Sequence, residues 1–331
     1  MDNDIQTYPP SSILHPRCLF IAGPTAVGKS EVALSLAEKI GGEIVSVDSM
    51  QVYRGLDLGT AKPSAAERAR VPHHLIDVCD LAESFDAARF IRLAQAAVAE
   101  IGSRSRVPIF CGGTGLYFKA YLSGLGEAPS ADPALRAQLE AMPYETLLQE
   151  LRERDPAAYE KIDKQNPRRV IRAVEVIRLT GKKFSEQKAE WKTEQKAESG
   201  NSDKSRAGRK AENIFGLTRK AEDLHARING RVDEMFRRGL VEEVRELLEH
   251  GLDRNQTAMQ AIGYRQVVEH LRGERDLKET VELVKIKTRQ FAKRQLTWFR
   301  RYGDCEWIEL SGKEFAEVAM QKIQTRLAAN P

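Results

Sequence analysis

The residues with the clearest chemical potential lie in a glycine-rich segment near the start of the chain. The segment reads Gly23, Pro24, Thr25, Ala26, Val27, Gly28, Lys29 and Ser30, and it matches the pattern G-x-x-x-x-G-K-[ST]. It follows a short apolar run and opens a helical pattern, which is the strand–loop–helix setting that this motif requires. Backbone N–H groups, the positive end of the helix dipole and the lysine then bind phosphate, and Ser30 is placed to hold Mg²⁺. We therefore predict a phosphate-binding loop at Gly23–Ser30, hereafter the phosphate loop, although the motif does not name the ligand that carries the phosphate.

Two carboxylates that follow apolar runs compete for a catalytic role. Asp48 comes directly after Ile44–Val47, and Asp77 follows Leu75 and Ile76. A carboxylate at the end of a strand can hold Mg²⁺ or act as a general base. Asp48 can equally cap a turn. The sequence leaves the choice between the two aspartates open.

Thr114 lies in a second glycine-rich segment, Cys111–Gly115, directly after the apolar run Val107–Phe110. The glycines allow the backbone to approach a ligand closely, and the threonine offers a hydroxyl at the end of the predicted strand. No aspartate ends this strand. That weakens an interpretation as a nucleoside triphosphatase, in which a carboxylate at such a place usually accompanies the phosphate loop.

Basic residues in the carboxyl half indicate a second kind of chemistry. One stretch without an acidic residue contains Lys285, Lys287, Arg289, Lys293, Arg294, Arg300 and Arg301, interleaved with Phe291, Trp298, Phe299 and Tyr302. This pattern is typical of a helix that contacts a phosphate backbone and stacks bases. A solvated helix face whose aromatic residues lie in the core would give the same sequence pattern. A second basic group consists of Lys164–Arg169 together with Arg172. Two basic elements beside a phosphate site favour a groove for RNA.

The chain that positions these residues alternates apolar runs with helical patterns up to about Leu125. Strands are predicted at Cys18–Ala22, Glu43–Val47, Val107–Cys111, Ile214–Leu217 and Glu306–Leu310. Helices are predicted at Glu31–Ile40, Asp86–Ile101, Leu224–Arg238, Val241–His250 and Leu277–Arg301, with a further helical stretch at Pro133–Thr180. Fully apolar strands between amphipathic helices predict an α/β fold: a P-loop-type parallel sheet with helices on both faces, plus an all-helical insertion domain. Ligands of such a sheet bind beyond the carboxyl ends of its strands.

Length and composition bound the organisation of the chain. Its 331 residues, 41% of them hydrophobic, favour two domains or one core with an insertion. The predicted parts are a flexible tail at 1–16, the first part of the core at 17–125, a helical insert at 126–184, a polar flexible segment at 185–212 and the rest of the core at 213–331. The net charge of +4 is small, so any nucleic-acid surface must come from local clustering.

The cysteines and the apolar runs bear on location. Cys18, Cys79, Cys111 and Cys305 lack paired spacing, which favours reduced thiols and an intracellular protein. The chain has no basic and apolar leader and no run of about 18 apolar residues, so we expect a cytoplasmic protein without a membrane anchor.

Taken in order, the motifs of this chain resemble those of the tRNA dimethylallyltransferase family. The segments that carry the resemblance are Gly23–Ser30, Asp48–Gly55, Gly59–Pro63, Pro72–Asp77, Gly112–Tyr117, Gln165–Arg169, Arg227–Val232, Ala261–Arg265 and Thr288–Trp298. The resemblance covers roughly Arg17 to Tyr302. It leaves out both ends of the chain and the polar, internally repeated segment Ser185–Asn213, which departs from the shorter connection of the family.

The resemblance implies a prenyl transfer to RNA. A dimethylallyl group would pass from its diphosphate to the N6 amine of the adenosine 3′-adjacent to the anticodon, in tRNAs that read codons beginning with U, with release of diphosphate. Asp48 is then the candidate base for the amine proton, because that amine is a poor nucleophile. Arg219 would add a charged contact to the diphosphate, Thr114 would position donor or base, and Mg²⁺, with Ser30 as a ligand, would assist.

The same resemblance implies a set of residues that contact tRNA. They are Asp48, Ser49, Met50, Gln51, Thr114, Arg136, Gln165, Asn166, Pro167, Arg168, Arg169, Gln260, Ala261, Ile262, Gly263, Tyr264, Arg265, Lys287, Thr288, Arg289, Gln290, Phe291, Ala292, Lys293 and Arg294. The expected partners are the anticodon stem-loop of tRNA and dimethylallyl diphosphate, with the protein acting as a monomer. Two alternatives stay open at this point: a small-molecule nucleotide kinase or ATPase, since the phosphate loop alone accepts either ligand, and a non-catalytic RNA-binding protein.

Overall fold

The structure, a computed structural model of the chain, describes residues 18–125, 129, 131–186, 213–301, 305–312 and 315–329. The predicted tail at 1–16 and nearly all of the predicted polar segment at 185–212 lie outside the described residues. Contacts divide the described residues into two units. One consists of those within Ser123–Arg209, and the other of those within Ser12–Leu122 and Lys210–Pro331.

The larger unit is built on a parallel sheet. Its strands are β1 (Leu19–Ala22), β2 (Gly42–Val47), β3 (His73–His74), β4 (Val107–Gly112), β5 (Ile214–Thr218) and β6 (Glu306–Glu309). Their order in the sheet is β3-β2-β4-β1-β5-β6, and every neighbouring pair is parallel. Each predicted strand is present, with ends that agree to within one residue. The two-residue β3 was not predicted, because it is too short to give a periodic pattern.

The helices are listed here in chain order with their bounds. They are α1 (Lys29–Ile40), α2 (Ala65–Arg70), α3 (Ala87–Ser103), α4 (Gly115–Ser123), α5 (Pro133–Ala141), α6 (Tyr144–Arg154), α7 (Pro156–Lys161), α8 (Pro167–Thr180), α9 (Ala221–Arg237), α10 (Leu240–Glu249), α11 (Tyr264–Leu271), α12 (Leu277–Arg301) and α13 (Phe315–Ala329). Two short 3-10 helices lie at Leu252–Arg254 and Ala258–Gln260. The predicted bounds of α12 are confirmed, whereas α2, α4, α11 and α13 were not predicted.

Both faces of the sheet are covered, which explains why its strands are apolar throughout. Leu19 and Ile21 of β1 pack on one face, in a cluster with residues of α1, α9 and α13. Phe20 points to the other face, where its ring stacks on Phe110 at 4.9 Å between centroids and lies 6.4 Å from the ring of Tyr121 on α4. The predicted parallel α/β fold is therefore confirmed.

The smaller unit is helical and has its own core. Pro156 and Pro167 begin α7 and α8, and Asp132 caps α5 by accepting bonds from the N–H groups of the first turn. The apolar faces of α5–α8 meet in a cluster of Leu139, Leu147, Leu151, Ala158, Val170, Ala173, Val174 and Ile177. These helices lie in the stretch that was predicted to be an all-helical insertion.

The register of the central strands brings their carboxyl ends to one edge of the sheet. Gly112 at the end of β4 pairs with Ala22 of β1 and with Val47 of β2, and Ala22 also pairs with Gly216 of β5. The residues that come directly after these strands are the phosphate loop, Asp48, Gly113 and Arg219. The fold thus gathers at one edge the residues for which chemistry was predicted.

Candidate active site

The phosphate loop joins β1 to α1 with the backbone of an anion site. α1 begins at Lys29, and Gly28 before it has φ +114°, a conformation that L side chains rarely adopt. A Cβ at Gly28 would lie 2.5 Å from the ring of Phe315, so a close neighbour also requires glycine there. The N–H groups of the first turn of α1 have no partner within the helix, and they are available to phosphate oxygens.

The ammonium group of Lys29 loses its proton more easily than that of an ordinary lysine. Its Nζ donates to the carbonyl oxygen of Pro24 at 2.7 Å, within the phosphate loop. Withdrawal from water, and secondarily the charge of Arg231, lower the pKa of Lys29 to about 8, while Cys111 and Asp48 oppose the shift. An anion bound in the loop would favour the charged ammonium and raise this pKa.

Asp48 and Thr114 lie on two adjoining turns that are bonded to each other. The N–H groups of Met50 and Gln51 donate to Oδ1 of Asp48 at 2.8 and 3.3 Å, so this carboxylate does cap its own turn. The N–H of Ser49 donates to Oγ1 of Thr114 at 3.1 Å, and the N–H of Thr114 donates to the carbonyl of Val47. Within the described residues Oδ2 of Asp48 accepts no hydrogen bond and stays available to a proton.

The competing carboxylate, Asp77, is already paired. Its Oδ1 binds Nζ of Lys62, and its Oδ2 binds Nη1 of Arg68 at 2.8 Å. These cations hold the pKa of Asp77 below its usual range, although burial acts most strongly and in the opposite direction. Asp77 therefore stabilises the surrounding loop, and Asp48 is the carboxylate at the sheet edge.

Gln295 on α12 connects the phosphate loop with the Gly113 turn. Its Oε1 accepts from the N–H of Thr25 at 2.8 Å, and its Nε2 donates to the carbonyl of Gly113 at 2.9 Å. The residue is 7% exposed. A Cβ at Gly113 would lie 2.1 Å from that Nε2, so only glycine admits the amide at this distance. Gln295 was not among the predicted site residues.

Arg219, predicted to contact diphosphate, is held against the phosphate loop. Its Nε donates to the carbonyl of Val27 at 2.7 Å, and its Nη1 pairs with Asp223. The guanidinium lies over the ring of Phe315, 4.2 Å from the centroid. The residue is 6% exposed, and its Nη2 has no hydrogen-bond partner among the described residues. A buried donor left open beside a phosphate loop fits an anion as its missing partner.

A basic cavity of about 660 Å³ lies beside the Thr114 turn. It is lined by Lys119, Gln290, Lys293, Arg294, Thr297, Trp298 and Arg301. The ring of Trp298 lies against the backbone of Gly115. A Cβ added at Gly115 would lie 2.3 Å from that ring. Cationic side chains around an aromatic ring can bind a nucleotide by its phosphate and its base. Gln290, Lys293 and Arg294 were predicted to contact tRNA, and Trp298 and Arg301 belong to the stretch that was predicted to contact RNA. Lys119 and Thr297 were missed.

Comparison with known proteins identifies the family of this chain. The family model described as IPP transferase matches residues 51–302. The chain belongs to the IPP transferase family. The tRNA dimethylallyltransferase 1 of Trichlorobacter lovleyi is 45% identical over 299 residues, which is 89% of this chain and 94% of that protein. The tRNA dimethylallyltransferase of Geobacillus thermodenitrificans is 42% identical over 325 residues, 95% of this chain and 99% of that protein.

Solved structures with the IPP transferase fold match nearly the whole chain. The tRNA isopentenylpyrophosphate transferase of Bacillus halodurans has 37% identity and a TM-score of 0.66, covering 95% of this chain and 97% of its own. A eukaryotic dimethylallyltransferase, described as acting on tRNA, has 27% identity and a TM-score of 0.74, covering 95% of this chain and 80% of its own.

Several residues expected to touch tRNA in this IPP transferase family member are buried. The side chains of Ala261, Tyr264 and Ala292 lie in the core, and Gly263 is buried beside them. The hydroxyl of Tyr264 donates to Glu243 at 2.6 Å and accepts from the N–H of Gly59 at 3.1 Å. For these positions the tRNA contact stays a prediction, although the side chains of Ala261, Tyr264 and Ala292 are enclosed by the protein.

Gln51 is also engaged within the protein. Its Oε1 accepts from the hydroxyl of Ser46, and its Nε2 donates to the carbonyls of Thr60 and Ala61. The amide therefore fastens the turn that carries Asp48 to the Thr60 loop. It positions the site and has no free donor for RNA.

The exposed members of the predicted tRNA set lie in both units. In the larger unit they are Gln260, Arg265, Lys287, Gln290, Lys293 and Arg294, and in the smaller unit they are Gln165, Pro167, Arg168 and Arg169. Arg136 is partly exposed and pairs with Glu175 at 2.6 Å, as Arg172 does at 2.7 Å. Glu175 is fully buried and holds both arginines in place. The two arginines carry one positive charge more than this carboxylate neutralises. The other predicted positions, Asn166, Ile262, Thr288, Arg289 and Phe291, are partly exposed.

The remaining predictions are simpler to place. The four cysteines, all among the described residues, form no disulfide with one another, and three of them are buried. Within the described ranges no helix is long and apolar enough to cross a membrane.

Proposed function

We propose that this protein transfers a dimethylallyl group from dimethylallyl diphosphate to the N6 amine of an adenosine in tRNA, with release of diphosphate. The observation that carries the proposal is the meeting of the phosphate loop, Asp48 and Thr114 at one edge of the sheet, beside a basic cavity that contains Trp298. Membership of the IPP transferase family and relatives called tRNA dimethylallyltransferases support a dimethylallyl donor and a tRNA acceptor.

The proposed step breaks one bond and forms another. The amine nitrogen attacks the allylic carbon, whose bond to the diphosphate oxygen breaks, and that oxygen keeps the electron pair. The amine proton passes to Asp48, which keeps Oδ2 unbonded while Met50 and Gln51 hold Oδ1 in place. Thr114 holds the turn of Asp48 through Ser49, and its own O–H can donate to donor or base.

The leaving diphosphate gains negative charge as its bond to carbon breaks. The N–H groups at the start of α1, the ammonium of Lys29 and the open Nη2 of Arg219 lie where that charge would develop. Donors fixed in advance stabilise the transition state more than the ground state, and this difference accelerates the reaction.

We also propose that Mg²⁺ assists the diphosphate. The hydroxyl of Ser30 lies in the first turn of α1 and is exposed, and such an oxygen donor suits a cation that keeps water and substrate oxygens as its other ligands. Among the described residues no group of three or more His, Cys, Asp or Glu side chains could hold a metal. A Mg²⁺ at this site would therefore rely on diphosphate oxygens and water, and it would neutralise charge on the leaving group.

We propose that the target is the adenosine 3′-adjacent to the anticodon in tRNAs that read codons beginning with U. An adenine stacked in the anticodon loop is out of reach of a carboxylate, so it has to be turned out of the stack. The exposed cations of α12 and of the Lys164–Arg169 segment are the proposed contacts to the stem-loop. We further propose that the protein acts as a monomer in the cytoplasm.

The deciding experiment supplies both donors in parallel. The purified protein is incubated with Mg²⁺, unmodified tRNA and either dimethylallyl diphosphate or ATP, and the digested nucleosides are analysed by mass spectrometry. A gain of one dimethylallyl group on adenosine, with the prenyl donor only, supports the proposal. Phosphoryl transfer or ATP hydrolysis without a modified nucleoside would instead identify a kinase or an ATPase.

A further inference from the structure

Four cations crowd the phosphate loop, and the named site uses only two of them. Besides Lys29 and Arg219, the loop is flanked by Arg227 and Arg231 of α9. Nε of Arg227 donates to the carbonyl of Ala26 at 2.9 Å, directly beside the Val27 carbonyl that Arg219 binds. Arg231 lies one turn further along the same face of α9, because residues four apart in a helix are neighbours.

Fewer carboxylates than cations act on this cluster: Glu31 and Asp223 act on Arg227, and Asp48 acts on Lys29. Asp223 lies on the same face of α9, and it is bonded to Nη1 of Arg219. Neither Arg227 nor Arg231 forms an ion pair with any residue in the part of the chain that the structure describes, and both are partly buried. Burial first, and then a neighbouring arginine, lower the pKa of both guanidinium groups. Repulsion between these like charges and their partial burial destabilise the cluster, and a bound anion would remove that destabilisation.

Phe315 organises the two arginines nearest the loop. Its ring lies 4.2 Å below the guanidinium of Arg219 and 5.1 Å below that of Arg227, measured to the ring centroid. The same ring abuts Gly28, so it sets the distance between α13 and the phosphate loop. Stacking on one ring and bonding through Nε leave both outer nitrogens of Arg227 for a ligand. In Arg219, Nη1 is bonded to Asp223, and Nη2 is the buried nitrogen without a partner among the described residues.

We propose that Arg227 and Arg231 are direct ligands of the diphosphate, and that Phe315 positions Arg219 and Arg227 for it. The proposal rests on the proposed function, because it takes the anion of the phosphate loop to be the diphosphate of the prenyl donor. A diphosphate offers enough oxygens to be bound by several guanidinium forks at once, in addition to the backbone N–H groups of the loop.

The test measures binding of inorganic diphosphate and of dimethylallyl diphosphate by calorimetry, with Mg²⁺, to the full chain. We expect Arg231→Ala and Arg227→Ala each to weaken diphosphate binding about 10- to 100-fold, the usual loss for one charged hydrogen bond. Arg231→Lys keeps the charge but loses the fork, and it should fall between wild type and Arg231→Ala. The control is Arg237→Ala on the same helix, whose side chain is 73% exposed and paired with Glu234.

A second readout separates a ligand from a merely structural residue. Because the charge of Arg231 contributes to the low pKa of Lys29, Arg231→Ala should move the pH at which donor affinity declines upward. The affinity for tRNA should stay within about twofold of wild type. Phe315→Leu, which keeps an apolar side chain, should weaken diphosphate binding less than either arginine variant.

Several outcomes would overturn the proposal. Unchanged diphosphate affinity in folded Arg231→Ala and Arg227→Ala would do so, and so would a loss of tRNA binding with diphosphate binding intact, which would make the arginines RNA ligands. If an alanine variant fails to fold, Arg231→Lys and Arg227→Lys decide by the same criteria. Diphosphate binding without any dimethylallyl transfer by wild type would refute the proposed function while leaving this inference standing.

Discussion

The backbone N–H of Thr25 donates to Oε1 of Gln295, 270 positions later in the chain. Nε2 of the same amide donates to the carbonyl of Gly113. One buried side chain thus fixes the spacing between the loop after β1 and the loop after β4. Gln295 belongs to α12, which also carries Lys293 and Arg294. A shift of that helix on RNA binding would therefore change the hydrogen bond of Gln295 to the phosphate loop.

Gln295→Leu tests this connection. Leucine keeps the volume but leaves the N–H of Thr25 and the carbonyl of Gly113 without a partner, at about 1–3 kcal/mol for each buried group. We expect kcat to fall about 10- to 100-fold, with a lower melting temperature and little change in tRNA affinity. The exposed residue Gln321 of α13 provides the control, as Gln321→Leu. A variant as active as wild type would mean that the amide only fills space.

Asp48→Ala should abolish turnover and preserve the affinity for tRNA. The proton of the amine then has no acceptor, and general-base catalysis typically contributes 10²- to 10⁴-fold. Asp48→Asn keeps the turn, since its side-chain oxygen still accepts from Met50 and Gln51, and it should be equally inactive. Single-turnover measurements with bound tRNA check this. Substantial activity in Asp48→Asn would assign the proton to another group.

Donor affinity should depend on pH through Lys29. With a pKa of about 8 in the free protein, Lys29 is charged below that pH and neutral above it. The diphosphate binds the charged form, so affinity should decline as the pH rises through about 8, and binding near pH 8 should take up protons. Calorimetry in two buffers of different ionisation enthalpy measures that uptake. Lys29→Met should bind weakly and without this dependence, whereas a wild-type affinity that is flat from about pH 7 to 9 would contradict the assignment.

Tyr264→Phe should destabilise the protein without removing an RNA contact. The hydroxyl donates to Glu243 and accepts from the N–H of Gly59, and its loss leaves a partly buried carboxylate with one donor fewer, at about 1–3 kcal/mol. Burial raises the pKa of Glu243 in the folded state, so the folded protein binds more protons there than the unfolded chain does. Stability contributed at this site therefore falls as the pH rises from 4.5 through that raised pKa.

Removal of the hydroxyl also removes an interaction that lowers the pKa of Glu243, so in Tyr264→Phe the decline should extend to higher pH. Urea unfolding at several pH values measures both effects. Tyr117→Phe, at a buried tyrosine without that carboxylate, serves as comparison. A loss of tRNA affinity at unchanged stability would restore Tyr264 as an RNA ligand.

Rising ionic strength should weaken tRNA binding more than donor binding. Binding of tRNA through exposed cations such as Lys287, Lys293 and Arg168 releases counterions, so its affinity should fall steeply with ionic strength. The donor, held by loop N–H groups and partly buried cations, should respond less. Filter binding from about 50 to 200 mM salt checks this, and a flat response for tRNA would exclude the basic surface.

The local parts of the site were predictable from sequence, and the long-range parts were not. Apolar runs followed by Gly23, Asp48 and Gly113 placed these residues at strand ends, because a parallel sheet collects its carboxyl ends on one edge. The residues alone left Asp48 and Asp77 as alternatives, and only the family resemblance favoured Asp48. The physical reason lies in Lys62 and Arg68, which the folded loop brings to Asp77.

Burial was the other unpredictable quantity. Tyr264 and Ala292 lie in segments of mixed polarity, so the sequence gives no indication that they face the core. Gln295 reads as one polar residue among many on a basic helix, and its two partners are distant in sequence. Phe315 opens a helix that was not predicted at all.

The contact between Phe315 and Gly28 has a consequence for how the protein is made. During synthesis the phosphate loop is made before the strands β5 and β6 and before the ring that supports Arg219 and Arg227. A nascent or truncated chain that ends before α13 cannot complete the arginine cluster. If Arg219 and Arg227 bind diphosphate as proposed, a chain cut before α13 should bind it more weakly than the full chain does, so the donor site matures only after Phe315 has been added.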